Sequence, residues 1–361
     1  MRLGSLSSLG ALLTSSPVFQ EGREPESGED PSDLLLRLIR GFWASGALHA
    51  AAKLRVADYL VEAPLCSEAL ACMTGTHAPS LYRLLRALAS VGVLAEDESG
   101  YFSLTKMGKL LRADKPDSFH SFVMDELGDT PPQAWKDLFY SVKVGRPARS
   151  TNCGAASRFT GRRGDEKYDA SQNGLDGASA RLRAAILRDY DFSQIKAIVD
   201  IGGGNGTFLA FLLQAHDLLR GIVFDFPWAL ETTQFCLTEE GVTKRCKVLP
   251  GDFLKTVPSG HDLYILKKIL QTYSDEHAVA ILKNCHRAML PQSKLLLVEA
   301  VIPSGNASSV AKLQDLKLMI TSEGRERTEH EFRTLCRQAR LRLQRVFSLN
   351  SEASILEVVR G

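Results

Sequence analysis

The chain lacks the signatures that would make several function classes easy to assign. None of its seven cysteines (Cys66, Cys72, Cys153, Cys236, Cys246, Cys285, Cys336) stands in C-x-x-C spacing. An odd, dispersed set argues against a zinc ribbon or a disulfide framework and reads as reduced thiols of a cytoplasmic protein without a metal site. No run of about 18 apolar residues is present, so no helix is expected to span a membrane. Charge of one sign is missing too: 44 Lys and Arg face 42 Asp and Glu, for a net charge of +2. That balance argues against a nucleic-acid or membrane-surface partner. What remains, 361 residues with 44% hydrophobic content, suffices for two domains and a large buried core.

The most informative stretch is Ile198 to Phe208, IVDIGGGNGTF. Apolar, β-branched Ile198, Val199 and Ile201 carry one acid, Asp200, and then break into Gly202, Gly203, Gly204 and Gly206. Apolar residues resume at helical spacing from Phe208. The spacing predicts strand, tight turn, helix, with glycines that let the backbone approach a ligand closely. A second strand is predicted over Gly221–Phe226 and ends at Asp225, 25 residues after Asp200, where a nucleotide ribose is gripped. The turn reads GGGNG rather than G-x-G-x-x-G, and Asp200 would repel a pyrophosphate. An acid there suits a cationic ligand without phosphate, which points to S-adenosylmethionine and a class I methyltransferase core.

Upstream, residues 1–30 are Ser/Gly/Glu-rich and aperiodic, predicting a disordered tail. Over 31–145 the pattern is mostly helical. Leu34–Ala52 is apolar all round and calls for cover by a second subunit. Ser67–Met73, a turn at Gly75 and Pro79–Val91 predict a helix-turn-helix, and the segments up to Leu104 a small hairpin, together a winged helix. A DNA-binding reading conflicts with 12 Lys/Arg against 13 Asp/Glu from Pro31 to Gly145, so packing and dimerisation are the expected role. Residues 146–180 are polar and glycine-rich, with a basic cluster at Arg158, Arg162 and Arg163, and read as a variable loop or linker. From 181 to 361 strand and helix patterns alternate: strands at 246–249, 263–266 and 294–299, helices at 310–321 and 329–341, and a closing hairpin of 344–347 with 354–359. That predicts a doubly wound α/β sheet.

Taken together, FWASGALHAAAKLRVADYL, THAPSLYRLLRALASVGVL, VDIGGGNGTF, the GDF at 251–253, LKKILQTYSDEHAVAILKN and GRERTEHEF resemble the small-molecule O-methyltransferases of the caffeic acid/hydroxyneurate type, which include acetylserotonin methyltransferases and bacterial polyketide-tailoring enzymes. The resemblance covers residues 31–361 and is weakest at 146–180. It implies a class I methyltransferase Rossmann-like sheet, an N-terminal all-α winged-helix dimerisation domain and a homodimer. Its cofactor contacts fall on Gly202, Gly204, Asp225, Asp252, Phe253 and Lys267, beside the Asp200 read above; Asp252 and Phe253 would meet the adenine.

The catalytic side departs from the family pattern. Gln271 stands where the family carries a histidine base, while the two acids that flank that base match Glu299 and Glu326. A carboxamide does not titrate near neutral pH. The acceptor segment corresponds to Tyr168–Gln172, with Gln172 in place of a gripping methionine. His277 is a remote substitute base, turned outward by the helix pitch. The resulting expectation is an S-adenosylmethionine-dependent O-methyltransferase acting on a hydroxyl of an aromatic or polyketide-like small molecule. The alternatives are a diverted family member (decarboxylase, hydroxylase or pericyclase) and a non-catalytic, cofactor-binding dimer.

Overall fold

The computed structural model describes residues 30–115, 118–128, 135–147, 176–322, 324–349 and 351–361. The expected tail up to residue 29, the cluster of Arg158, Arg162 and Arg163, and the acceptor segment Tyr168–Gln172 lie outside the described residues. Two compact units emerge, one up to Lys136 and one formed by residues 137–147 and 181–361.

In the N-terminal unit, helix α1 (Pro31–Lys53) starts at Asp30, whose carboxylate accepts from the Ser32 N–H at 2.8 Å, with Pro31 in its first turn. Proline is tolerated there because its missing N–H would be unpaired anyway. Helix α2 (Ser67–Thr74) stops at Gly75, which has φ +65° and takes the left-handed cap. Helix α3 (Ala78–Ser90) buries Leu81, Leu85 and Leu88 along one face. Strands β1 (Leu65–Cys66), β2 (Leu94–Glu96) and β3 (Tyr101–Leu104) form an antiparallel sheet in the order β1-β3-β2. Helix-turn-helix and hairpin thus stand where the pattern placed them; the two-residue β1 is too short to leave a periodic trace. Leu70, Leu85, Leu88 and Phe102 are fully buried in this unit's core. By contrast α1 leaves Leu35, Leu38, Ile39, Phe42 and Trp43 exposed, Phe42 at 72% and Trp43 at 66%.

The C-terminal unit is built on a seven-stranded sheet. Its strands are β4 (Ala197–Ile201), β5 (Arg220–Asp225), β6 (Cys246–Pro250), β7 (Leu263–Lys267), β8 (Lys294–Glu299), β11 (Leu341–Ser348) and β12 (Ser354–Arg360). The short β9 (Val301–Ile302) and β10 (Arg327–Thr328) pair separately. The large sheet runs β11-β12-β8-β7-β4-β5-β6, parallel from β8 to β6, with β12 antiparallel to β8 and β11 antiparallel to β12. Strands such as Leu295–Val298 are buried throughout because hydrophobic clusters lie on both faces of the sheet. From β4 the chain winds outward through β5 and β6, then returns to lay β7 on the other side of β4. The carboxyl ends of β4 and β7 therefore flank a topological switch point, where ligands bind in such sheets.

Two boundaries differ from the sequence expectation. The helix expected over 329–341 ends at Gln338, because Arg340 adopts φ +58° and turns the chain so that Leu341 opens β11. A helix spanning Asp176–Asp189 begins inside the segment read as loop. Among the described residues no helix is long and apolar enough to cross a membrane.

Candidate functional site

The turn after β4 is shaped by what surrounds it. Gly202 has φ +72°, and a Cβ there would collide with the Ile269 side chain. A Cβ on Gly203 would lie 2.8 Å from Oδ2 of Asp200, so the Asp200 carboxylate sits beneath the turn. Asp200 is buried, and its Oδ2 has no hydrogen-bond partner. Burial pushes its carboxyl up to about 7, against the opposing charge of Lys267. Lys267 closes β7 with its ammonium 5.5 Å from the centre of the Phe208 ring, and burial depresses its pKa. A buried acid with an unpartnered oxygen and a buried ammonium at one switch point fit a ligand that carries both charges. The amino and carboxylate groups of a methionine moiety do so.

Asp225 closes β5, turned toward the same turn. Its Oδ2 accepts from the Gly204 N–H at 2.9 Å and its Oδ1 from the Phe226 N–H at 2.7 Å. Burial still raises its carboxyl to about 6, the two N–H groups opposing the rise. Phe226, next in the chain and only partly buried, stacks on Trp228 at an interplanar angle of 7°. Asp252 accepts from the Leu254 N–H and pairs with Lys255 at 3.2 Å. The Phe253 ring is 1% exposed, packed between Phe226 and Tyr273, and approaches to 3.9 Å of a Cβ built on Gly202. Its carbonyl accepts from the buried Asn284 amide at 2.8 Å. Gly202, Gly204, Asp200, Asp225, Phe253 and Lys267 thus gather at the carboxyl end of the sheet. Sequence reading missed Phe226 and Asn284; Asn284 carries no local signal, since only its burial inside the helix Asp275–Ala288 gives it meaning.

Gln271 lies in a 3₁₀ turn, Leu270–Thr272, just beyond β7. Glu299, at the end of β8, is fully buried, and its Oε1 accepts from the N–H groups of Ile269 (3.0 Å) and Leu270 (2.8 Å). Its Oε2 has no partner, and neither does Oε2 of the buried Glu326. Burial, and then the neighbouring Glu326 charge, push the Glu299 carboxyl up to about 8; burial lifts Glu326 to about 7. Both acids therefore border the Gln271 turn and titrate near neutrality. Arg327 also reaches this turn, unanticipated from sequence although it lies inside the GRERTEHEF motif. His277 faces solvent, its Nδ1 3.1 Å from the Ser274 hydroxyl. Among the described residues no group of three His, Cys, Asp or Glu side chains is placed to hold a metal ion.

Comparison with known proteins decides the family. A model of the O-methyltransferase domain matches residues 135–342, and a model of the O-methyltransferase dimerisation domain matches residues 36–114. The chain belongs to the O-methyltransferase family. It is 36% identical over 326 residues to the phenazine O-methyltransferase PhzM of Lysobacter antibioticus, covering 90% of this chain and 95% of that protein. It is 33% identical over 311 residues to the mitomycin biosynthesis 6-O-methyltransferase of Streptomyces lavendulae, covering 85% of this chain and 88% of that one. The SAH-bound crystal structure of CalO1, a methyltransferase in calicheamicin biosynthesis, superposes with a TM-score of 0.80 at 33% identity, covering 92% of this chain and all of that one. The seven-stranded sheet is accordingly the class I methyltransferase fold, joined to an N-terminal dimerisation domain, and the protein is an S-adenosylmethionine-dependent O-methyltransferase.

Proposed function

We propose that the acceptor is a hydroxyl on an aromatic or polyketide-like small molecule, methylated at the turn that carries Gln271. The observation that carries this reading is that Asp200, Asp225 and Lys267 lie at the carboxyl ends of their strands, the same edge of the sheet from which the Gln271 turn, bordered by two buried acids, leaves β7. Bound S-adenosylmethionine supplies an electrophilic methyl group on a sulfonium. Asp225 would hold the ribose hydroxyls, Gly202 and Gly204 admit the ligand's backbone-close approach, and Lys267 and Asp200 take its carboxylate and amino groups. Asp252 and Phe253 line the expected adenine end.

The chain's own contribution to chemistry is positioning. Gln271 exchanges hydrogen bonds with the acceptor but takes no proton. A hydroxyl more acidic than an ordinary phenol, whose pKa is about 10, ionises without a protein base. Holding it in line with the methyl group supplies most of the rate. Glu299 and Glu326 set the surroundings of Gln271. No feature of the site favours the diverted or the non-catalytic alternative.

The dimerisation domain supports a homodimer, the near-zero net charge supports a reading without a nucleic-acid partner, and the dispersed cysteines support a cytoplasmic one. The domain plan proposed with it is a tail at 1–30, a winged helix at 31–145, a linker at 146–180 and a catalytic domain at 181–361.

The test is methyl transfer from labelled cofactor across phenols of graded acidity, with wild type and Gln271→His. Wild type should favour acidic phenols. The imidazole, flanked by Glu299 and Glu326, should extend transfer to ordinary phenols, with a gain of up to about 10²–10⁴-fold. A variant as inert as its parent on every phenol, with no wild-type transfer, would overturn the reading.

A further inference from the structure

Arg327 is fully buried although it carries a permanent charge. Its donors reach four groups on or beside one short turn. Nη1 donates to the Leu270 carbonyl at 2.8 Å and, more weakly, to the Arg325 carbonyl at 3.4 Å. Nη2 donates to the Tyr273 carbonyl at 2.8 Å, and Nε to Oδ1 of Asp275 at 2.9 Å. The two strong carbonyl contacts bracket Gln271. The Gln271 carbonyl itself accepts from the Arg325 N–H at 2.8 Å, two residues before Arg327. On the opposite side Glu299 takes the N–H groups of Ile269 and Leu270. The ring closes through a strand pairing: Arg327 opens β10 and pairs with Val301 of β9, two residues beyond Glu299 along the chain. Segments 269–275, 299–302 and 325–328 are thereby tied into one ring around Gln271.

We infer that Arg327 is the positioning residue of the acceptor site, holding the Gln271 turn so that the nucleophile meets the methyl group in line; this rests on the methyltransfer reading above. A buried guanidinium is costly unless its donors are met, and here they are met by the carbonyls that bracket Gln271, the Arg325 carbonyl and the Asp275 carboxylate. The planar fork is what the geometry demands. It spans two carbonyls three residues apart and a carboxylate at the same time, which a lysine ammonium at the end of a flexible stem cannot do. Gln271 cannot compensate for misplacement by taking a proton, so rate depends on where the turn holds it. Displacement of a reacting group by about 1 Å costs on the order of 10²-fold.

The experiment uses the full-length protein with Arg327→Lys, which keeps the charge and removes the fork. The expected result is a kcat reduced about 10–100-fold, with S-adenosylmethionine affinity by calorimetry within about twofold of wild type. Amide exchange should accelerate at Leu270 and Arg325 while Val199 and Ile265, in the sheet, keep their protection. Wild-type kcat, or unchanged exchange at Leu270 and Arg325, overturns the inference. So does a fall in cofactor affinity and melting temperature that parallels kcat, since that is the mark of a purely structural role. If the lysine variant does not fold, Asp275→Ala loosens the same clamp from its half-exposed end. It should lower kcat by about 3–10-fold with affinity kept, and an unchanged kcat counts against the clamp. If wild type transfers no methyl to any acceptor, the methyltransfer reading fails separately, and exchange at Leu270 and Arg325 alone decides whether Arg327 orders the turn.

Discussion

At the scale of single residues, four buried acids set the behaviour of this site, and each is raised by burial. For Asp225 the consequence is functional. Its carboxylate must be ionised to accept from a ribose diol, so cofactor affinity should fall as pH drops through about 6, the value to which burial lifts it. Asp225→Ala removes the acceptor and strands the Gly204 N–H. A lost hydrogen bond to a charged group is worth about 1.5–3 kcal/mol, about 10–150-fold in affinity; unaltered binding by calorimetry would remove Asp225 from the site. For Glu299 the consequence is stability. A raised folded-state pKa means the folded protein keeps a proton that the unfolded chain releases near 4.5. The resulting stabilisation is present below about 4.5 and lost as pH rises through about 8. Glu299→Gln keeps an oxygen for the Ile269 and Leu270 N–H groups but cannot ionise. Denaturant melts should find variant and wild type alike near pH 4 and the variant more stable at pH 9 by up to about 5 kcal/mol, each pKa unit being about 1.4 kcal/mol. A difference that does not change with pH would show that Glu299 is not the group titrating.

At the scale of elements, two turns divide the labour, and their glycines can be separated. A Cβ on Gly203 would press on the Asp200 carboxylate at 2.8 Å, whereas one on Gly324 would collide with the Gln271 carbonyl. Overpacking of this kind costs about 1–3 kcal/mol locally. Gly203→Ala should therefore weaken cofactor binding about 5–150-fold. Gly324→Ala should spare cofactor affinity and lower kcat at least about tenfold through the displaced turn. Isothermal titration and single-turnover rates distinguish them, and equal effects on both quantities would contradict the division. This asymmetry also explains what could be read from the sequence. The β4 turn declared itself because glycines, an acid and apolar periods lie within eleven consecutive residues. Asp225 was legible from its place at a strand end, and Lys267 only through the family resemblance. The Arg327 clamp did not declare itself: it joins positions 270, 273, 275 and 327, and its buried partners are carbonyls, which every residue has. The Phe253 ring, expected at the adenine end, also packs between Phe226 and Tyr273, contacts that no local pattern announces. The helix end at Gln338 was overrun because Arg340 enters the left-handed region without a glycine to announce it.

At the scale of the whole molecule, the exposed stripe of α1 remains to be accounted for. Leu35, Leu38, Ile39, Phe42 and Trp43 stand open on a helix that begins before the matched dimerisation domain and runs into it. A contiguous apolar surface of this kind marks an interaction site. In a twofold dimer the same patch appears in both partners, so each substitution removes two side chains from the interface. Buried aromatic anchors cost at least about 2 kcal/mol each when truncated. Phe42→Ser with Trp43→Ser removes four aromatic side chains per dimer, on the order of 8 kcal/mol, close to six powers of ten in the dissociation constant. Light scattering at about 10 μM should thus report twice 39.6 kDa for wild type and the monomer mass for the double variant. A monomeric wild type would refute the homodimer, and a variant that stays dimeric would move the interface away from α1.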